Sequence, residues 1–417
     1  MRKLSGETLR GILRRLLIAA LTASAVFLLL RTDYFSTAAG RVSVSAAAAG
    51  SSGTDELVEA AAALRPRAVL ARNASGAQSA SAWNGQTTED AFRGFSAFLG
   101  EALGSAGVPS DIPEAEFRRG LEEVSVFFDL GAEYPLRLLS AWTGTGGGGA
   151  EAHSADLLAL FLSEDDVSLC FREGERFLRC ATATQPGALR ARIEDFQAGP
   201  ASFAYSDPRL REIEPYTVVL ETLPAISGVT AASARDAADT DRLMDVFGMN
   251  SYLATSYYDA DGALVLMEGG RTLRLAADGA LTYRGETETN PAEGASLVNA
   301  VSLASLLAQR SAGAGAGDAE VMFASAAETG GLTTVRFDYC VDAIPVRLGV
   351  PAAEVVLSGG TVIRATMHLR RYVRTEQSET VLPMFRAAVL AAASGGGAPS
   401  LAYADSGEGI QCIWISR

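Results

Sequence analysis

Alternating apolar and polar positions in the last part of the chain predict antiparallel hairpins. Strands are expected near 252–258, 262–267, 271–275 and 280–284, with the turn sequences DADG and AADG between some of them. An Asp-Gly pair between two alternating segments is typical of a tight β-hairpin. This part of the chain is therefore expected to build a sheet from neighbouring strands.

Two segments with helical spacing each follow strands and precede a Gly-rich loop and a hairpin. The first helix is predicted over 293–309 with its hairpin at 320–340, and the second over 378–393 with its hairpin at 401–416. The apolar face of the first helix comprises Leu297, Ala300, Val301, Ala304 and Leu307 or Ala308. Two similar α+β units, 236–341 and 342–417, follow from this pattern; chance similarity between two α+β segments is the alternative.

Upstream, the same reasoning predicts mixed helices and strands. Helices are expected over 87–107, 114–122 and 188–197, and strands over 67–72 and 124–131. A hairpin over 167–180 is expected to turn at Glu173-Gly174, which would place Cys170 opposite Phe177. The pattern divides this part into an N-terminal α+β subdomain (55–142), a Gly-rich linker (143–154) and a middle α+β subdomain (155–235).

The N-terminus has the pattern of a single membrane-spanning helix. Residues 1–15 are basic, 16–31 contain an uncharged apolar run, and 32–54 are small and polar, as in a stalk. The positive-inside rule keeps the basic tail in the cytoplasm and exports the remainder. A cleaved signal peptide, with small residues near Ala38, Ala39 and Ala46, is the alternative reading of the same residues.

Charge is distributed unevenly about this segment. Residues 1–31 carry six basic residues and one acid, a net of +5, so the chain's net charge of −14 leaves −19 for the remainder. Such an acidic domain is poorly suited to nucleic acid, which requires a surplus of Lys and Arg. Lys3 is the only lysine, which excludes Ser–Lys, Schiff-base and P-loop chemistry from the exported part.

Candidate catalytic residues are few, and each has a simpler structural explanation. His153 lies in the Gly-rich linker, and His368 lies in a predicted strand whose alternation places it beside Arg370 and Tyr372. Asp405-Ser406-Gly407 matches the aspartic-protease triplet once, but it occupies a predicted hairpin turn. We therefore expect no enzyme activity and no cofactor.

Metal and disulfide chemistry are equally unsupported by the sequence. The cysteines at 170, 180, 340 and 412 lack CxxC or Cys/His spacing and are expected to be isolated thiols. The Gly-rich segments at 145–149, 313–317 and 395–397 lack the context of nucleotide binding and are expected to be flexible connectors.

The predicted membrane helix contains a candidate contact face. Ala19 and Ala23, and likewise Ala20 and Ser24, are spaced four residues apart. Small residues at this spacing allow transmembrane helices to approach closely. These four residues are the predicted partner-binding site.

These features together resemble the YycH/YycI family, the auxiliary regulators of the YycFG (WalRK) two-component system. The resemblance rests on LRTDYF after the anchor, on the hairpins from Tyr257 to Tyr283, on the helix at 293–309 and on the C-terminal stretch. In that stretch, Tyr339 with Ile344-Pro345-Val346 and Tyr403 with Trp414 match the family's order of elements.

The resemblance implies an α+β ectodomain without catalysis, displayed outside the cell membrane. It implies contact with a sensor histidine kinase and a paralogous regulator, and an influence on cell-wall homeostasis. A different class of function, an exported binding module for an envelope peptide or glycan, is the alternative hypothesis.

Overall fold

The computed structural model describes residues 65–286, 296–393, 396–407 and 409–416. The predicted tail, membrane helix and stalk therefore lie outside the described residues. Within the described part, no helix is both long and apolar enough to cross a membrane. The architecture is mixed α+β, dominated by antiparallel sheets, and this part contains seven α-helices.

The first sheet has nine antiparallel strands in the order β3-β7-β6-β5-β4-β1-β2-β8-β9. Its strands β1 to β9 are Ala68–Arg72, Gln78–Ala82, Ser110–Ile112, Ser125–Pro135, Ser154–Leu162, Val167–Glu173, Arg176–Ala181, Gly199–Phe203 and Val218–Leu220. Helices α1 to α4 are Gly85–Ser105, Glu114–Leu121, Leu136–Trp142 and Pro186–Glu194. Residues 143–154 connect α3 to β5, so strands from both sides of this segment lie in one sheet; the subdomain boundaries stay a prediction.

The second sheet contains eleven strands. Ten of them follow the order β11-β12-β13-β14-β19-β18-β16-β17-β21-β22, and β15 pairs with β16 outside this order. Strands β10 and β20 form a separate antiparallel ribbon. Strands β10 to β22 are Ile226–Ser233, Thr255–Tyr258, Leu264–Glu268, Arg271–Leu275, Ala280–Arg284, Glu320–Thr329, Leu332–Val341, Ile344–Arg347, Ala353–Ser358, Thr361–His368, Arg370–Glu379, Pro399–Asp405 and Ile410–Ser416. Helices α5 to α7 are Thr240–Val246, Leu297–Arg310 and Met384–Ala393.

Helix α1 begins at Gly85, two residues before the predicted start at 87, because the Asn84 side chain caps it by accepting a hydrogen bond from the Thr87 backbone N–H. Its buried Phe95 packs edge-on against Phe128 of β4, with ring centroids 6.5 Å apart. Helix α6 buries the predicted apolar face, including Val301 and Ala304. A continuous cluster of buried apolar side chains then extends from the first sheet into the second.

The two predicted C-terminal units share their order of elements but not their packing. Both α6 and α7 precede hairpins, and both hairpins join the second sheet. Helix α6 buries eight residues, whereas α7 buries only Met384, Ala387 and Ala388. The backbone N–H of Leu220, in β9 of the first sheet, donates to the Met384 Sδ at 3.3 Å, so α7 links the two sheets.

Three local predictions are wrong, and in one of them a tertiary contact prevails over the local pattern. The hairpin of β6 and β7 turns at Gly174-Glu175, so Cys170 lies opposite Arg179 rather than Phe177. The predicted helix over 378–393 begins at Met384, because β20 continues to Glu379 by pairing with β10. The predicted strand through His368 ends there, and β20 begins at Arg370.

Two Gly-rich segments predicted to be flexible pack closely against their surroundings. A Cβ atom added at Gly148 would lie 1.9 Å from the Leu103 carbonyl oxygen. Gly317 has φ +74°, and an added Cβ would lie 2.3 Å from the Tyr372 carbonyl oxygen. These glycines therefore allow backbone segments to approach side by side.

Candidate functional site

The sequence-predicted contact face of the membrane helix, Ala19, Ala20, Ala23 and Ser24, lies outside the described residues and stays a prediction. The described residues nevertheless locate the other candidates named above. They also reveal a cavity between the two sheets that the sequence did not indicate.

Neither histidine lies in the cavity between the sheets, and the surroundings of each can be described separately. His153 Nδ1 lies 3.0 Å from Glu173 Oε2, and its ring packs against Phe171. Burial raises the pKa of Glu173, but hydrogen bonds from His153 and the Ser154 backbone lower it by more, so the net pKa is below its usual range. His368 ends β19, and burial lowers its imidazole pKa.

The Asp405-Ser406-Gly407 triplet forms a turn whose carboxylate is fully buried. Arg370 donates to both Asp405 oxygens at 2.8 and 2.7 Å, and the Tyr372 hydroxyl donates to Oδ2 at 3.0 Å. The backbone N–H of Gly407 donates to Oδ1 at 2.8 Å. A carboxylate held by an arginine, a tyrosine and a backbone amide stabilises the fold and is not arranged to activate water.

The cysteines are free thiols, and Cys170, Cys180 and Cys412 are buried. Burial raises the pKa of the Cys180 thiol to about 11 and that of Cys412 to about 12. Among the described residues, no group of three or more His, Cys, Asp or Glu side chains is placed to hold a metal ion.

A cavity of about 590 Å³ lies between the two sheets. The first sheet and α1 contribute Arg67, Gly85 and Tyr134, while the second sheet contributes Phe323 and Arg347. The Tyr134 hydroxyl donates to the Phe323 carbonyl at 3.2 Å, and the two rings are 5.0 Å apart. Aromatic contacts between β4 and β15 thus join the sheets beside the cavity.

The cavity carries both signs of charge on its walls. Arg65 pairs with Glu89 of α1 at 3.0 Å and with Glu320 of β15 at 2.5 Å, so its guanidinium bridges α1 and the second sheet. On the opposite wall, Arg374 lies 3.1 Å from Asp342. These side chains are partly exposed, so their ion pairs are individually weak but can exchange for groups of a ligand.

A strained turn borders the cavity. Asp342 and Ala343, which connect β16 to β17, have φ +52° and +62°, a region that favours glycine. The Asp342 carboxylate accepts from Ser227 of β10 at 2.9 Å as well as from Arg374. A Cβ added at Gly85 would lie 3.2 Å from the Asp342 Cα, so the turn sits against the start of α1.

One cavity side chain has a polar atom without a partner among the described atoms. Arg67 donates from Nε to Asp129 at 2.8 Å, but its Nη1 is buried and makes no hydrogen bond there. A buried donor of this kind costs free energy unless water or a ligand satisfies it.

Little in the sequence indicates this cavity. Its wall residues come from positions as distant as Arg65 and Arg374, and only the tertiary arrangement of two sheets brings them together. A local signal existed at Asp342-Ala343, where a two-residue connection between alternating strands requires left-handed backbone. That signal indicates a turn, but not what the turn faces.

Comparison with known proteins identifies the fold. No protein-family model matches the sequence, and no curated protein matches it either. Among solved structures, the crystal structure of YycH from Bacillus subtilis matches with a TM-score of 0.58 and 11% sequence identity, covering 86% of this chain and 94% of that chain. The chain therefore has a YycH-like fold, and the likeness extends beyond the C-terminal stretch on which the sequence resemblance mainly rested.

Proposed function

We propose that this chain is a non-enzymatic, membrane-anchored regulator whose domain outside the membrane tunes a sensor histidine kinase of a two-component system. The observation that carries the proposal is the YycH-like fold over 86% of the chain. The family resemblance adds a paralogous regulator as a second partner and cell-wall homeostasis as the regulated process.

The N-terminal sequence supports the location and the mode of contact. A basic tail before an apolar run orients the helix with the acidic domain outside. Ala19, Ala20, Ala23 and Ser24 would allow close approach of the kinase's own membrane helix. In the described part, His153 pairs with the carboxylate of Glu173, and His368 is the last residue of β19.

Replacing Ala19, Ala20, Ala23 and Ser24 together with leucine tests the helix contact. We expect weaker co-purification of the kinase from solubilised membranes, because larger side chains separate the helices. The double change Thr22→Leu and Ala25→Leu is the matched control, since both positions lie on the opposite side of the predicted helix. Equal recovery from both variants would contradict the helix contact.

The mass of the mature protein decides whether the anchor is retained. A regulator acting through its membrane helix requires residues 16–31 in the mature chain, so intact mass spectrometry from membranes should show the full length. A mature N-terminus near Ala39 or Ala46 would identify a cleaved signal peptide and remove the helix from the mechanism.

A second candidate, a binding module for an envelope peptide or glycan, is favoured by the cavity between the sheets. Its arginines, carboxylates and aromatic side chains match a peptide-like ligand of mixed charge. Short peptides and soluble glycan fragments should be added to the full-length protein in thermal-shift measurements. A fragment that binds the native state should raise the melting temperature. Arg347→Gln should reduce that shift, whereas Arg284→Gln, which lies outside the cavity, should not.

A further inference from the structure

The outer strands of the two sheets differ in how their edges are protected. Natural proteins cover or charge such edges to prevent unwanted pairing. The short edge strand β3 carries Asp111 in an ion pair with Arg176 at 2.9 Å. The edge strand β9 is covered by α7 through the contact of Leu220 with Met384, and β22 lies beside β10.

Within the described part of the chain, another edge strand, β11, has none of these protections. In the described part of the chain, β11 pairs only with β12, and all four of its residues are exposed. It contains no charge and no proline. Its tyrosines Tyr257 and Tyr258 are 50% and 68% exposed, and the preceding Tyr252 and Leu253 are 94% and 69% exposed.

The direction of the free backbone groups follows from the hairpin itself. The Asp259 N–H donates to the Ala263 carbonyl, so this pair belongs to the hydrogen-bonded set of the antiparallel ladder. Alternation then places Tyr257 and Thr255 in the same set, with their backbone groups toward β12. The N–H and C=O groups of Ser256 and Tyr258 consequently point away from the sheet.

We propose that β11 pairs antiparallel with β11 of a second copy of this chain. In an allowed register, residues whose backbone groups point outward lie opposite each other. One such register pairs Ser256 with Tyr258 of the second copy, and the twofold axis repeats this pair on its other side. In that register Tyr257 meets its own copy as a non-hydrogen-bonded pair, where side chains approach most closely. The contact is isologous and closes as a dimer.

Charge favours a second copy as the occupant of this edge. Residues 250–258 carry no charge in a chain of net charge −14, so two copies meet where their repulsion is smallest. The proposed register places Asp259 opposite Thr255, and Asp261 opposite Leu253. No acid therefore lies directly opposite another acid, which would destabilise the pairing.

The size of the patch indicates a weak contact. Its three tyrosines offer on the order of 300–500 Å² of side-chain surface, compared with roughly 800 Å² per partner in a stable interface. Such pairing is concentration-dependent. Two chains held in one membrane, as the proposed function implies, would have a raised effective concentration.

Disulfide trapping tests the register directly. In membranes containing the full-length protein, Tyr257→Cys should give an oxidised dimer, because the paired Cα atoms lie within disulfide reach. Thr255→Cys is the matched control, because position 255 is also exposed and lies on the same face as position 257. In this register, however, position 255 of one chain lies four residues along the strand from position 255 of the other. Wild-type protein measures any contribution from the four native thiols.

A second variant separates pairing from folding. Adding Ser256→Pro to Tyr257→Cys should abolish the dimer, since proline removes an N–H that faces the second copy and not β12. Its melting temperature should match that of Tyr257→Cys alone. Equal trapping at 255 and 257, no trapping at 257 in a folded protein, or a linked species whose mass is not twice that of the chain would each overturn the proposal.

Discussion

Two turns of the second sheet have the same local design in different surroundings. Asp405, the last residue of β21, accepts a backbone N–H from Gly407 and pairs with Arg370. Asp259, after β11, accepts backbone N–H groups from Asp261 and Ala263 and pairs with Arg274 at 2.8 Å. The Asp405 side chain is 0% exposed, whereas that of Asp259 is 23% exposed and its arginine 37%.

The difference shows that a turn motif specifies backbone geometry, while burial decides how much the motif matters. Asp405 also receives the Tyr372 hydroxyl, and Tyr372 lies beside Tyr339 with ring centroids 5.2 Å apart. The Asp259 turn instead follows the exposed strand β11. The Asp405 turn therefore packs into the core, whereas the Asp259 turn lies at the protein surface.

The largest expected effect is at the buried pair. Asp405→Ala should lower the free energy of unfolding by about 3–5 kcal/mol, because it leaves the Arg370 guanidinium buried without its partner. Asp259→Ala is the matched control and should change stability little, since solvent screens that pair. Urea unfolding of both variants measures the difference, and equal losses would contradict the role of burial.

Removing one hydroxyl should have a smaller effect. Tyr372→Phe removes the hydrogen bond to the Asp405 carboxylate and should cost about 1.5–3 kcal/mol, the range for bonds to charged groups. Tyr257→Phe, on exposed β11, provides the control. A stability of Tyr372→Phe equal to that of the wild type would show that the Arg370 pair alone holds Asp405.

Backbone strain should cost the same at both turns. Gly407 and Gly262 have φ +87° and +75°, and an added Cβ would meet nothing within 4 Å at either position. Gly407→Ala and Gly262→Ala should therefore each cost about 1–2 kcal/mol, the penalty for left-handed backbone. Unequal costs in urea unfolding would mean that the surroundings contribute to the turn geometry as well.

Alkaline pH should weaken the fold through its buried tyrosines. Burial raises the pKa of Tyr339 to about 12, above the unfolded value of about 10. The raised pKa stabilises the native state fully below pH 10, and this contribution is lost as the pH rises through 12. At pH 11 the loss is about 1 kcal/mol. Comparing urea unfolding at pH 9 and 11 should show a smaller decrease for Tyr339→Phe than for the wild type.

Much of the local structure could be predicted from sequence because it depends on nearby residues. Strands 271–275 and 280–284 have the predicted bounds, and the apolar face of α6 is buried as expected. The α+β class follows from the same patterns, and the YycH-like fold confirms the fold that the resemblance implies.

The sequence-based predictions fail where contacts between distant segments determine the structure. Pairing with β10 extends β20 to Glu379, although the residues after Gln377 have helical spacing. The apolar spacing in α7 does not indicate that this helix packs on the first sheet through Met384. The cavity depends on the approach of Gly85 to Asp342, two residues that no local pattern connects.

The buried thiols have a kinetic consequence. Disulfide exchange proceeds through the thiolate, and a thiol with a pKa of about 11 or 12, as at Cys180 and Cys412, is almost entirely protonated at neutral pH. The fold itself thus slows oxidation and mispairing at these positions. In an oxidising environment, these sulfurs would therefore react more slowly in the folded domain than in the unfolded chain, where their pKa values return to the usual range.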